Sequence, residues 1–387
     1  MTQAHTTKQV VDHRFSKLIT GLAEAQQVFG VEPDDLVAFK NTEQNNARRE
    51  LLRIEKQAIR DKELNQKSEQ NYVNSIRDMV QDSLLERLQE RLDDEENIFY
   101  KVLGFDDNLP ELLDMLSVKA STISKLEPAA GAMPWLYEDL IKMVNMPKYR
   151  RTDAKGKVVA VDSLRVGLSF LGIDNLKMVV PSLAFRRWIP QITDPYPEIK
   201  TRLWETAIGT AISCKSIAEL SKVEPSHAFT LGMFHDIGRI VITRLYFRLF
   251  DELQREALIE AHNEKKREEH AALSKIQPDS DFLIKLMDRF ATPISAQLIA
   301  KMGFKRLFIA NAMDEYAREL PMSKMSPLAK VLYQGVAYNR YRMLKNYKLI
   351  ELEEAKAYLM QSQMPKGALS LLKTTDIRHL NISVDDE

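Results

Sequence analysis

Cysteine is nearly absent from this chain, since Cys214 is the only one among 387 residues. A single thiol cannot form a disulfide within the chain, and it cannot build a zinc site of four cysteines. This cysteine usage is typical of a reducing compartment. The first residues also lack the apolar core of a signal peptide, so we expect a cytoplasmic protein. Cys214 has apolar neighbours and is interpreted as a small core residue.

Net charge and long apolar runs are missing as well. The 55 Lys and Arg residues balance 55 Asp and Glu residues, so no overall positive field attracts nucleic acid or anionic lipid. The sequence contains no run of about 18 apolar residues, so no membrane span is predicted. Residues 148–157 carry five cations and one Asp. We interpret them as a charged surface loop, with nucleic-acid binding as the disfavoured alternative.

Glycine and proline do not occur in residues 34–103. Apolar residues recur there at helical spacing, at Leu51, Ile54 and Ala58 and then at Val73, Ile76, Val80, Leu84, Leu88 and Leu92. The pattern predicts two long helices, or one helix with a weak middle. We interpret them as a packing module or lever. A coiled-coil dimer is the alternative, although the repeat is not sustained over several heptads.

The rest of the chain reads as one helix after another with short connections. Ser163–Leu171 is amphipathic and ends at Gly172, a helix C-cap signal. Further helical patterns cover Asn175–Trp188, Arg202–Leu220 and Ser226–Leu249, and the only strand candidate is Val158–Val161. We therefore predict an all-α fold with a helical extension at residues 1–104, a central domain at 105–316, and C-terminal helices at 317–387 that close or extend it.

The most informative motif is Phe234-His235-Asp236-Ile237-Gly238. Adjacent His and Asp side chains can bind a divalent metal, but metal sites usually need three or four protein ligands. No histidine occurs between His13 and His227. His227 lies eight residues before His235 on the same predicted helix, about 12 Å away along its axis. The two imidazoles therefore cannot share an ion, and the motif lacks an obvious third ligand.

The segment from about Leu109 to Tyr316 resembles the HDOD domain, the HD-related output domain of bacterial signalling proteins. The landmarks that carry this resemblance are Leu109-Pro110, Pro134 through Tyr149, Ser163-Leu164 with Leu171-Gly172, Trp204, and Ala228 through Gly238. Each piece is weak alone, but their order and spacing together are specific. The resemblance implies an HD-like helical bundle that serves as an output module.

The sequence also departs from the HDOD pattern. Thr206 stands where many members have a His after the Trp, and Met133 replaces the usual acidic residue before Pro134. Later family histidines correspond to about Ala291 and to Met313-Asp314. The resemblance therefore makes His235 and Asp236 a vestigial pair. We expect His235 to hydrogen-bond within the helical core and Asp236 to cap the next helix.

Three residues define a candidate ligand pocket beside this pair. Glu205 is the one nearby side chain able to bind metal in place of the missing His, and Thr206 occupies the position of that His. Arg239 follows Gly238, and a guanidinium there can hold a phosphate. The Gly-Tyr-Pro motif of related cyclic-diguanylate phosphodiesterases does not occur in the sequence.

These observations favour a non-catalytic regulatory output protein that binds a signalling protein or a small ligand. We expect no catalytic residue, no metal ion and no cofactor, and the oligomeric state is open. The alternative is a divalent-metal phosphohydrolase acting on a nucleotide or cyclic dinucleotide, with His235 and Asp236 as metal ligands.

Overall fold

The computed structural model describes residues 2–30, 53–118, 120–149, 151–152 and 158–382. The helices in these ranges, numbered in chain order, are α1 Thr2–Thr20, α2 Leu22–Phe29, α3 Arg53–Asp93, α4 Asn108–Leu116, α5 Ile123–Gly131, α6 Pro134–Val144, α7 Leu164–Trp188, α8 Glu198–Ser221, α9 Pro225–Phe234, α10 Ile237–Asn263, α11 Arg267–Leu273, α12 Ser280–Lys301, α13 Ala310–Ala317, α14 Pro327–Asn346, α15 Leu352–Gln361 and α16 Ala368–Thr374. A π-helix, Asn97–Val102, and a 3₁₀ turn, Met322–Lys324, complete them. The predicted all-α class is confirmed.

Two short strands interrupt the helical series. Arg151–Thr152 (β1) pairs antiparallel with Val158–Val159 (β2). The predicted strand at Val158–Val161 therefore exists but is two residues long. Residues 150 and 153–157, which hold most of the predicted basic loop, lie outside the described residues.

Side-chain caps mark the start of several long helices. The Ser163 hydroxyl accepts the Val166 amide at the start of α7 (3.4 Å), and the Asp279 carboxylate accepts the Phe282 amide at the start of α12 (2.9 Å). Each contact satisfies one of the backbone donors that a helix leaves free at its first turn. Gly172 then divides α7, because its φ of 69° is not helical. The predicted break at this glycine is confirmed.

Helix α7 is also the one described helix that is long and apolar enough to cross a membrane. Half of its most apolar window is buried inside the protein. The break at Gly172 leaves no helical piece longer than residues 173–188, about 24 Å at 1.5 Å per residue. These properties suit a helix packed in the protein core better than a membrane span.

Helix α3 runs unbroken through the weak middle of its apolar pattern. Residues 66–72 are exposed on every side, whereas the second half of the helix packs against α10 and α11. The buried positions there are Val73, Ile76, Val80, Leu84 and Leu88. Their spacing of three and four residues is that of one apolar helical stripe. Residues 34–52 of the predicted helical region lie outside the described residues.

Helix α8 lies at the centre of the core, between α9 and α14. Glycines allow these helices to cross closely. A methyl group at Gly335 would overlap the Cys214 sulfur, and one at Gly232 would lie 2.8 Å from the Ala211 Cα atom. A third close crossing joins α10 and α12, where a methyl group at Gly238 would overlap the Ala291 carbonyl oxygen. These crossings fix the positions of α9 and α10, and therefore the position of the His-Asp motif at their junction.

Helix α1 packs onto the central helices α8, α12 and α14 and onto α15. Its apolar stripe, Val11, Phe15, Leu18 and Ile19, is at most 1% exposed. Burying four such side chains stabilises the fold by roughly 6–12 kcal/mol before entropy is counted. The N-terminal helix is therefore an integral part of the core rather than an appendage.

Candidate functional site

The His-Asp motif lies at the junction of two helices. His235 follows the last residue of α9, and its backbone amide still donates to the Leu231 carbonyl (2.8 Å). Asp236, with φ −115° and ψ 21°, precedes α10. The Gly238 amide at the start of α10 donates to the Ser295 hydroxyl of α12 (2.8 Å). A neighbouring helix thus supplies the capping group at this junction.

The His235 ring is buried and tied to its own helix. Its Nδ1 lies 2.7 Å from the Gly232 carbonyl oxygen, so Nδ1 carries the proton and donates. Burial lowers the pKa of His235; Asp236 and the hydrogen bond to Gly232 oppose this shift, and the cations of Arg340 and Arg239 reinforce it. The imidazole is therefore neutral at pH 7. The predicted hydrogen bond within the helical core is confirmed.

The Asp236 carboxylate pairs with Arg239 instead of capping the helix. Arg239 Nε donates to Asp236 Oδ2 at 2.9 Å, and the two side chains are 7% and 10% exposed. A second nitrogen of Arg239 lies 3.8 Å from the Met287 sulfur. The predicted cap at Asp236 is wrong, because a buried cation three residues later takes the carboxylate that would have accepted a backbone amide.

A second polar group, the outer group, lies near the motif and consists of Asp12, Tyr316, Arg340 and Tyr358. Arg340 of α14 lies near enough to His235 to lower the pKa of the imidazole. Its guanidinium donates to Asp12 of α1 at 2.6 Å, and the Tyr358 hydroxyl lies 3.4 Å from the same carboxylate. Burial raises the pKa of Tyr316 to about 12, and the Asp236 charge adds to this rise.

Sequence reasoning missed this outer group. Asp12 and Arg340 are 328 residues apart, and both lie outside the segment that carries the HDOD resemblance. Only the apolar periodicity of α1 could have indicated that the N-terminal helix docks on the core, and periodicity does not name the surface it meets.

Thr206 is a packing residue of α8. Its hydroxyl donates to the Arg202 carbonyl (2.7 Å) and lies 3.7 Å from the Met343 sulfur. The Thr206 carbonyl accepts the Asn339 side-chain amide from α14 (3.0 Å). The Thr206 side chain is 3% exposed and bonded to its own helix, so its role is in packing.

Glu205 points in a different direction, into a surface cleft of about 180 Å³. Arg202 holds the Glu205 carboxylate at 2.8 Å and Glu198 at 2.7 Å, and its guanidinium stacks 4.2 Å from the Tyr347 ring centre. The lining of the cleft includes Glu205, Arg342, Met343, Tyr347, Ile377 and Arg378. Neither Thr206 nor Arg239 lines it, so the three residues of the candidate pocket do not share one cleft.

Metal-binding side chains are scattered over the part of the chain that the structure describes. No three His, Cys, Asp or Glu side chains there form a group that could hold a metal ion. His227 contacts Phe308, with ring centres 6.4 Å apart. His262 and His270 do approach each other, with ring centres 6.2 Å apart, but they lie on α10 and α11 without a third ligand.

A family model of the HDOD domain matches residues 105–276. The chain contains an HDOD domain. The match covers α4 to α11 and includes His235, Asp236 and Arg239. The outer polar group, with Asp12, Tyr316, Arg340 and Tyr358, comes from helices outside the matched HDOD segment.

Two solved structures resemble this chain weakly. A candidate phosphohydrolase of Shewanella amazonensis SB2B is 18% identical, with a TM-score of 0.44 over 74% of this chain and 91% of that chain. A candidate metal-dependent phosphohydrolase of the same organism is 14% identical, with a TM-score of 0.41 over 75% of this chain and 99% of that chain. No curated protein matches the sequence. Similarity at this level does not bear on activity.

Proposed function

We propose that this protein is a non-catalytic regulatory protein whose HDOD domain binds a signalling protein or a small ligand. The His-Asp motif serves packing and charge balance in this proposal and holds no metal. The Asp236–Arg239 ion pair is the observation that carries it.

A buried guanidinium already occupies the carboxylate that a metal would need. A dication at Asp236 would either lie close to the Arg239 guanidinium, which is 6% exposed, and be repelled by it, or force the carboxylate to release it. The released guanidinium would then be an unpaired buried charge, which costs several kcal/mol. A phosphohydrolase site instead keeps its carboxylates free for the ion and leaves an open position for water.

The electrostatics around His235 support the same proposal. Burial lowers the pKa of the imidazole and the Asp236 carboxylate raises it, while repulsion from the Arg340 and Arg239 cations lowers it further and so offsets part of the Asp236 attraction. A divalent cation at this ring would face the same repulsion. Thr206, at the position of the usual first histidine, donates its hydroxyl within α8.

Helix α10 offers a route by which binding could be transmitted. It begins directly after the His-Asp motif and packs along its length against α12 and against the long helix α3. A partner that shifts α10 would therefore tilt α3. Hydrogen exchange of residues 66–93 tests this step, because unchanged protection on adding a bound partner would contradict it.

Metal content tests the proposal most directly. The protein is purified without chelator and without metal affinity resin, and Mn, Fe, Ni and Zn are measured by elemental mass spectrometry. We expect background metal in the native protein and in Asp236→Asn alike, with Asp376→Asn as an exposed control. Near-stoichiometric metal that Asp236→Asn removes, together with turnover of nucleotide or cyclic dinucleotide substrates, would establish the phosphohydrolase alternative instead.

A further inference from the structure

We propose that the cleft beside Glu205 binds a small anion, a phosphate or carboxylate group, through Arg342 and Arg378. The inference deepens the proposed function, since it names the chemistry of the small ligand. The cleft lies between α8, α14 and the segment that follows α16, and it is separate from the His-Asp motif.

Arg342 is the first residue that points to an anion. Its Nε is buried and has no hydrogen-bond acceptor, and the guanidinium forms no ion pair with any described residue. The guanidinium lies close to the Tyr338 hydroxyl. Burial raises the pKa of that hydroxyl, and the Arg342 cation partly opposes the rise. Arg342 also lines the cleft, so an anion that enters it can accept charge-assisted hydrogen bonds from the outer nitrogens of this guanidinium, which carries no counter-ion.

Arg378 supplies a second cation at the rim. Its side chain is exposed, and its backbone amide donates to Asp376 Oδ1 at 2.9 Å. The other Asp376 oxygen pairs with His379, also at 2.9 Å. The Asp376 carboxylate is thus engaged by these two groups, and the Arg378 guanidinium remains available to the cleft that it lines.

The one carboxylate that lines the cleft, that of Glu205, is neutralised by the Arg202 guanidinium. Glu205 accepts from Arg202, which also holds Glu198. Among the charged residues that line the cleft, Arg342 and Arg378 outnumber Glu205, so the lining carries a net positive charge. Two guanidinium forks facing one space match the oxygens of a phosphate or carboxylate.

The remaining walls indicate a ligand with an apolar part. Met343 and Ile377 are buried side chains, and the Tyr347 ring is half-buried beneath the Arg202 guanidinium. A cleft of about 180 Å³ accommodates an anionic head with a small organic group. A long polymer such as nucleic acid would need an extended basic surface instead.

Calorimetric titration with inorganic phosphate tests the proposal, in metal-free buffer at constant ionic strength. We expect saturable binding that weakens at least tenfold in Arg342→Gln and in Arg378→Gln, since each loses charged hydrogen bonds. Arg318→Gln is the matched control, because Arg318 is an exposed arginine that pairs with Asp314 on another surface. Circular dichroism confirms that each variant is folded, and exposed Arg378 provides a variant with little risk to the core.

The outcomes separate this inference from the proposed function. The proposed anion site in the cleft is overturned if phosphate binding survives both arginine substitutions, or if the native protein shows no saturable binding. Binding that requires added Mn or Zn and disappears in Asp236→Asn places the anion at the His-Asp motif, and so overturns both the cleft and the non-catalytic proposal. Binding that is independent of metal and of Asp236→Asn supports the cleft.

Discussion

At the scale of single residues, the Asp236–Arg239 ion pair has a consequence for stability. Both side chains are at most 10% exposed, and they lie 2.9 Å apart. Both charges have little access to water, so each depends on the other. Replacing the whole pair by apolar residues is often tolerated, whereas removing one partner leaves a buried charge alone.

We expect Arg239→Met to lower the free energy of unfolding by about 3–5 kcal/mol, because it strands the Asp236 carboxylate. Urea denaturation measures the change. The double variant Asp236→Asn with Arg239→Met should recover part of the loss, and Arg318→Met, at an exposed pair, should cost below about 0.5 kcal/mol. Equal losses at the buried and exposed arginines would contradict the structure.

His235 and His227 should make stability depend on pH. Burial lowers the pKa of both imidazoles in the folded state, against an unfolded value near 6.5. Below that value the unfolded chain binds more protons than the folded one, so stability falls as pH decreases. Asp236 opposes this effect at His235, and Arg239 and Arg340 add to it.

We therefore expect the native protein to lose stability between pH 7.5 and 5.5, by up to about 1.4 kcal/mol per pH unit for each histidine. His235→Gln should flatten this dependence, and His379→Gln, at an exposed histidine, should leave it unchanged. Denaturation midpoints across this pH range measure it. A flat profile for the native protein would rule out buried neutral histidines.

At the scale of helices, close crossings fix the geometry of the core. The tightest contact joins α10 and α12, where Gly238 faces the Ala291 backbone carbonyl. A backbone oxygen cannot rotate away as a side chain can, so a methyl group there must separate the two helices. Gly167 on α7 differs, since the nearest atoms to an added methyl are side-chain carbons at 3.4 and 3.7 Å.

Gly238→Ala should destabilise the protein by about 3 kcal/mol through overpacking. Gly167→Ala should be nearly neutral, or stabilising by up to about 0.5–1 kcal/mol, because alanine favours a helix over glycine. Thermal unfolding of the two variants provides the comparison. Similar effects at both positions would show that α10 and α12 do not cross as closely as described.

At the scale of the whole molecule, the HDOD match at residues 105–276 does not coincide with the core. Helices α12 and α14, which make the close crossings with α10 and α8, begin after it. Helix α1, which precedes it, buries four apolar side chains on those helices. Residues 105–276 alone would therefore expose large apolar faces of α8 and α10.

We expect residues 105–276, expressed alone, to lack cooperative unfolding, and residues 1–382 to retain it. Near-ultraviolet circular dichroism and calorimetry distinguish the two, because a chain without fixed packing loses the first signal and the unfolding peak. A sharp transition in the shorter chain would show that the matched segment is an independent domain.

Local patterns carried most of the helical prediction. The break at Gly172 and the helix over Arg202–Leu220 follow from glycine and apolar periodicity, which act within a few residues. The sequence could also suggest His235 as a core hydrogen-bonding residue. Its bond to Gly232 lies within one helical turn.

Long-range contacts and competition between partners were beyond sequence reasoning. Asp236 had two nearby options, a backbone amide or Arg239, and burial decides in favour of the charged partner. The Asp12–Arg340 pair and the cleft of Arg342 and Arg378 depend on how distant helices dock. No spacing in one sequence encodes which surfaces meet.

The single thiol, finally, reports on the opening of the molecule. Cys214 is fully buried, its sulfur lies 3.6 Å from the Val331 carbonyl of α14, and burial raises the pKa of the thiol. An alkylating reagent can reach it only when the packing of α8 against α9 and α14 opens. Each alkylated molecule would thus record one opening of this packing, and at reagent concentrations where alkylation is faster than reclosing the rate of mass increase in native buffer would give the frequency of that motion.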